Sequence, residues 1–105
     1  MELVTRYRCP VRGCGFTTHT IRGLKLHYRK MHPDWCFVCE KLFRRPEALT
    51  NHAYRKALEE SWGFYHAAMY YLAMRHLPKS KDIRSRVMYR IGADALAEIT
   101  AVEER

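Results

Sequence analysis

Residues 9–32 read CPVRGCGFTTHTIRGLKLHYRKMH, and the spacing of four of them decides the fold. Four residues separate Cys9 from Cys14, twelve separate Cys14 from His27, and four separate His27 from His32. A zinc ion takes four sulfur or imidazole ligands in a tetrahedron. Two cysteines on a tight hairpin supply one edge, and two histidines about one helical turn apart supply the other. The twelve residues between are enough for a returning strand, a turn and the start of that helix. Arg12-Gly13 and Gly15 give the knuckle its backbone freedom, and Phe16 and Leu24 offer apolar cover for the metal. The spacing therefore predicts a zinc site built from Cys9, Cys14, His27 and His32.

A second constellation follows in Cys36-x2-Cys39-x12-His52, with Phe43 four residues after Cys39 and Leu49 three before His52. Its fourth ligand is missing: Lys56, Ala57 and Leu58 stand where a histidine belongs. His66 is fourteen residues beyond His52, roughly 21 Å along a continuous helix, out of reach without a break. Glu59 and Glu60 are about two turns away. Three readings stay open. Cys36, Cys39 and His52 hold zinc with water or a distant group; or they hold no metal, with Phe43, Leu49 and the helix sustaining the fold; or a second chain lends a histidine. A three-ligand zinc with water is also the shape of a catalytic site, but no general base or oxyanion partner is identifiable by motif, and no enzyme is expected. His19, His66 and His76 lack partners at metal spacing and are expected to be surface or core histidines.

These two segments resemble the Cys2His2 zinc-finger family over residues 7–56, about half the chain. Leu24, Phe43 and Leu49 fall at family positions, whereas Thr18 holds the place where the first finger would carry its phenylalanine. The resemblance implies ββα-like fingers that bind nucleic acid, DNA rather than RNA, and a small transcription regulator. Family base contacts come from the positions just before, third and sixth in the finger helix. These are Thr20, Gly23 and Leu26 in the first finger, and Arg45, Ala48 and Asn51 in the second. Arginine suits guanine and asparagine suits adenine, so the second finger is the better reader. Only Pro33-Asp34-Trp35 joins the fingers, and Trp35 is expected to pack between them and fix one rigid unit.

The charge points to the same partner. Residues 1–56 hold 12 of the 19 basic and four of the 11 acidic residues, so the whole formal excess of +8 lies on the cysteine-bearing half. A polyanion is the natural ligand of such a half, with Arg22, Lys25, Arg29 and Lys30 around the first finger helix and Arg44, Arg45 and Arg55 around the second. Four cysteines at short spacing suit a reducing, intracellular compartment better than a disulfide framework. The opening MELVTRYRC does not read as a secretory signal, and no run of about 18 apolar residues predicts a membrane span; no membrane partner is expected. The absence of glutamine and the single asparagine, Asn51, suggest a hot environment, that of an archaeon or its virus.

Beyond the cysteines, residues 46–77 read as one long helix opening at Arg45-Pro46-Glu47. Its stretch Trp62–Met74 is apolar nearly all round, the mark of a helix buried on more than one side, and Gly63 suggests a close contact or bend. Pro78 breaks the pattern. Residues 79–103 read as a second helix, with Ser80 as cap and Ile83, Val87, Ile91, Ala95, Ile99 and Val102 along one face. The expected architecture is a small α+β zinc-finger module followed by a long helix and an antiparallel helical hairpin. Residues 1–56 form two coupled finger-like units, and residues 46–105 form a hairpin sharing the second finger's helix. The expected function is zinc-dependent nucleic-acid binding. The alternative is a zinc-stabilised interaction module using the aromatic helix 62–74, and a homodimer through the C-terminal helices is a further expectation.

Overall fold

The computed structural model describes residues 4–59 and 64–104. The fold is of the small α+β class, with short antiparallel strands followed by helices. Strand β1 (Val4–Arg8) turns at the first cysteine pair and returns as β2 (Thr17–Thr18), with Tyr7 opposite Thr18 and Arg8 opposite Thr17. Helix α1 (Ile21–Met31) follows; its N-cap Thr20 accepts a hydrogen bond from the Gly23 amide at 2.9 Å. A second unit repeats the plan, with β3 (Trp35–Cys36) paired to β4 (Lys41–Leu42) and then α2 (Pro46–Glu59). Each second cysteine is followed by a left-handed residue, Gly15 at φ 73° and Glu40 at φ 52°, so the two knuckles turn alike. They also lie side by side: Arg12 of one reaches Glu40 of the other at 3.4 Å.

The linker is held from both ends. The His32 amide donates to the Tyr28 carbonyl, the Trp35 amide to the His32 carbonyl, and the Phe43 amide to the Asp34 carbonyl. The Tyr28 hydroxyl donates to the Trp35 carbonyl and stands 3.4 Å from the Met69 sulfur. One buried phenol thus ties α1 to the linker and to the helical half.

The sequence reads residues 46–77 as one helix, and here the structure differs. Helix α2 ends at Glu59 and α3 spans Phe64–Ala73; the residues between, including Trp62 and Gly63, lie outside the described residues. Helix α3 is apolar on all sides because it is packed on all sides. Residues 66–72 are buried throughout, with α1, α2 and α4 (Ile83–Thr100) around it. Among the described residues of the stretch 62–74, which the alternative reading uses as an interaction surface, only Tyr65 is well exposed.

Helices α3 and α4 run antiparallel: Tyr71 meets Tyr89 with ring centroids 4.8 Å apart, while Gly92 lies against Ala67. Asp82 caps α4, its carboxylate accepting from the Ser85 amide at 3.2 Å. Ser80, the cap the sequence suggests, precedes the helix. The helix stops at Thr100, short of the expected 103, and residues Ala101–Glu104 form β5 on the open edge of β1, with Tyr7 opposite Ala101 and Arg6 opposite Val102. The sheet order is β2-β1-β5, so the first finger's hairpin gains a third strand from residues 101–104.

Gly92 is the tightest point of this packing. A β-carbon there would lie 2.1 Å from the Ala67 carbonyl oxygen and 2.9 Å from Cβ of Tyr71. Because the first of these is backbone, α3 and α4 would have to separate. Gly92→Ala is therefore expected to destabilise the fold by about 3 kcal/mol or more, read as a fall in the urea midpoint of the metal-loaded protein.

Candidate metal centres

Each finger hairpin brings its two cysteines together, and each following helix faces them with histidine. In the first centre the Cys14 sulfur lies 3.3 Å from Nε2 of His27 and 3.3 Å from Nε2 of His32. The imidazoles of His27 and His32 stand 5.3 Å apart at 75°. Cys9 completes the group, with all four ligand atoms within 4.8 Å of one another. A tetrahedron with metal–sulfur bonds of about 2.3 Å and metal–nitrogen bonds of about 2.0 Å has edges of roughly 3.5 Å, so the donors already sit at the spacing a tetrahedral cation requires.

The second centre repeats this geometry with a ligand that the sequence reading set aside. The Cys39 sulfur lies 3.4 Å from Nε2 of His52 and 3.3 Å from Nε2 of His66. The imidazoles of His52 and His66 stand 5.3 Å apart at 77°, matching the first pair. Cys36, Cys39, His52 and His66 again lie within 4.8 Å of one another. His66 is expected above to be a surface or core histidine because a continuous helix would carry it some 21 Å away. With α3 a separate helix, its first turn delivers His66 to the cysteines. Of the three readings left open, the distant group within the same chain is the one whose geometry is present. The signal that could have found it was the bare need for a fourth donor, since His66 is the next histidine along the chain.

Packing prepares both sets of donors. Burial pushes the Cys9 thiol up to about 12 and the Cys36 thiol up to about 11, so neither gives up its proton unaided at neutral pH. A bound cation supplies the opposing charge. Burial lowers the affinity of His27, His32 and His52 for protons, which keeps those imidazoles neutral and free to ligate. Phe16 lies flat on His27, with centroids 3.8 Å apart and planes 6° apart. It therefore shields the first centre from outside, and Leu24 and Tyr28 fill the interior.

The expected nucleic-acid contacts divide. Arg22, Lys30, Arg44, Arg45, Arg55 and the neutral Asn51 are exposed, and Arg29 is half-buried. Lys25, expected to meet phosphate, is 6 % exposed. Its ammonium donates to the Tyr89 hydroxyl at 2.8 Å and lies over the rings of Tyr71 and Tyr89 at 4.4 and 4.5 Å. Burial, with Arg29 and Arg22 nearby, brings its pKa down to about 8. Lys25 is thus a strut between α1 and the α3–α4 pair.

The chain is similar to two curated proteins named Histone H4 transcription factor. It is 37% identical to the human protein and 35% identical to the bovine one, over 71 residues in each case. Those residues make up 62% of this chain and 14% of each relative, so the chain spans about one seventh of their length. No family profile matches, and no solved structure does.

Replacing His66 tests the second centre. With Co(II) as a probe, the wild type is expected to bind two equivalents with tetrahedral d–d absorption, and His66→Ala to keep one strong site. The variant's thermal midpoint is expected to fall by about 10 °C, the equivalent of roughly 2 kcal/mol in a domain of this size. Two undiminished Co(II) sites in the variant would exclude His66 as a ligand.

Proposed function

We propose that this chain is a zinc-dependent, non-enzymatic nucleic-acid-binding module of a transcription regulator, with double-stranded DNA as its target. What carries the reading is that the entire positive excess lies on residues 1–56, which also supply seven of the eight donors of the two cysteine–histidine tetrads, His66 being the eighth. The relatives' names as transcription factors point the same way. Zinc is the cation that a mixed thiolate–imidazole tetrahedron favours, and its contribution is to hold the fold. A regulator of this kind works inside the cell, where thiols stay reduced. No helix among the described residues is long and apolar enough to cross a membrane.

In this proposal phosphates are met by Arg22, Arg29, Lys30, Arg44 and Arg55. Arg45, just before α2, and Asn51, on its second turn, reach for base edges. The first finger contributes charge more than readout, because its third position is Gly23, packed against Thr18 and Thr20, and its sixth is the apolar Leu26. With a short linker pinned by Tyr28, the two fingers approach DNA as one body and do not follow the groove independently.

The zinc-loaded protein is expected to retard mixed-sequence duplex in a gel, with duplex outcompeting single-stranded RNA. Its affinity should fall about 1000-fold between 50 and 200 mM salt if some six phosphates are neutralised. Arg44→Glu/Arg45→Glu should abolish the retardation, whereas Lys25→Met should lower stability by about 1–2 kcal/mol and leave the salt slope unchanged. Retention of binding by the double charge reversal would overturn the assignment of this face.

A further inference from the structure

We infer that the outer face of α4 is a docking surface for a second copy of this chain, with the two α4 helices packed antiparallel. The helix buries Met88, Gly92, Ala95 and Leu96 against α3. The three branched aliphatics Ile83, Val87 and Ile91 point the other way, 70, 49 and 48 % exposed. Spaced four apart, they fall within a sector of about 120° on the helix surface. The sequence reading placed all three on one stripe with Ala95, Ile99 and Val102. The helix turns Met88, Gly92, Ala95 and Leu96 inward, with Gly92 letting α3 come close, and the three branched side chains are left outside.

The charges in the same sector point to the occupant. Arg84 and Arg90, both exposed, lie in the N-terminal half of α4, and Asp94 and Glu98, also exposed, in the C-terminal half. Within the helix this order opposes the dipole, which favours acids at the start and bases at the end; past the N-cap Asp82, α4 has no acid in its first turn and no base in its last. A second α4 laid antiparallel reverses both faults. Two-fold symmetry sets Val87 against Ile91 of the second copy, and Arg84 against its Asp94, each contact occurring twice. The two Arg90 side chains fall near each other beside the two-fold axis, a local cost, whereas a parallel pair would set all four charges against their own kind. One helix face is small beside the roughly 800 Å² per partner of a standard interface, so the dimer should be weak, with a dissociation constant on the order of 10 μM.

The inference does not depend on nucleic-acid binding, and its test is a separate one. Sedimentation equilibrium of the full zinc-loaded chain from about 1 to 200 μM should show a monomer–dimer equilibrium. Val87→Asp should make the protein monomeric, with its zinc content and circular dichroism unchanged. Arg84→Glu should weaken the dimer at least tenfold, and Arg84→Glu/Asp94→Arg should restore it, an outcome that only the antiparallel arrangement explains. A wild type that stays monomeric at 200 μM, a dimer indifferent to Val87→Asp, or a double reversal weaker than the single one would each overturn the proposal.

Discussion

The structure turns on gathering two sulfurs and two imidazoles at each of two points. A hundred-residue protein has little stability in reserve, and here Cys9 and Cys36 lie buried in surroundings that resist their ionisation. Without a cation each cluster is a cost. With the proposed zinc it becomes the strongest local interaction in the molecule, on the order of 10 kcal/mol for a structural site. The strands of two to five residues and the left-handed turns after Cys14 and Cys39 persist because they serve those clusters.

The second cluster also shapes the helical half. His66 belongs to α3 while Cys36, Cys39 and His52 belong to the finger, so closing the tetrad docks α3 onto α2. Three further ties bind the same halves: Tyr28 near Met69, Lys25 between the rings of Tyr71 and Tyr89, and β5 on β1. The helices therefore act as a buttress that fixes the angle of the fingers. The covering of α3 on every side also explains why its aromatic sequence is core.

Much of this was legible in the sequence because ligand spacing is a local property. Cys9, Cys14, His27, His32, Cys36, Cys39 and His52 can be read off the chain, since a hairpin and one helical turn fix their distances. His66 could not, because its place depends on where one helix ends and another begins, and the apolar run of residues 62–74 hides that boundary from any periodicity argument. The strand at Ala101–Glu104 was hidden for a related reason: its partner is β1, almost a hundred residues away. Lys25 was misplaced because charge on a finger helix reads as surface, and only the three-dimensional packing reveals the two tyrosines that receive it. On α4 the inward residues are Met88, Gly92, Ala95 and Leu96, with Gly92 letting α3 come close, and the branched side chains of Ile83, Val87 and Ile91 are left outside.

The central claim is that one chain closes two sulfur–imidazole tetrads, the second across two helices. Zinc X-ray absorption on the purified protein, with metal and protein quantified on the same sample, tests it most directly. The expected result is two zinc ions per chain with an average first shell of two sulfurs and two imidazole nitrogens. A single zinc per chain, or a shell in which oxygen replaces part of the imidazole nitrogen, would contradict it.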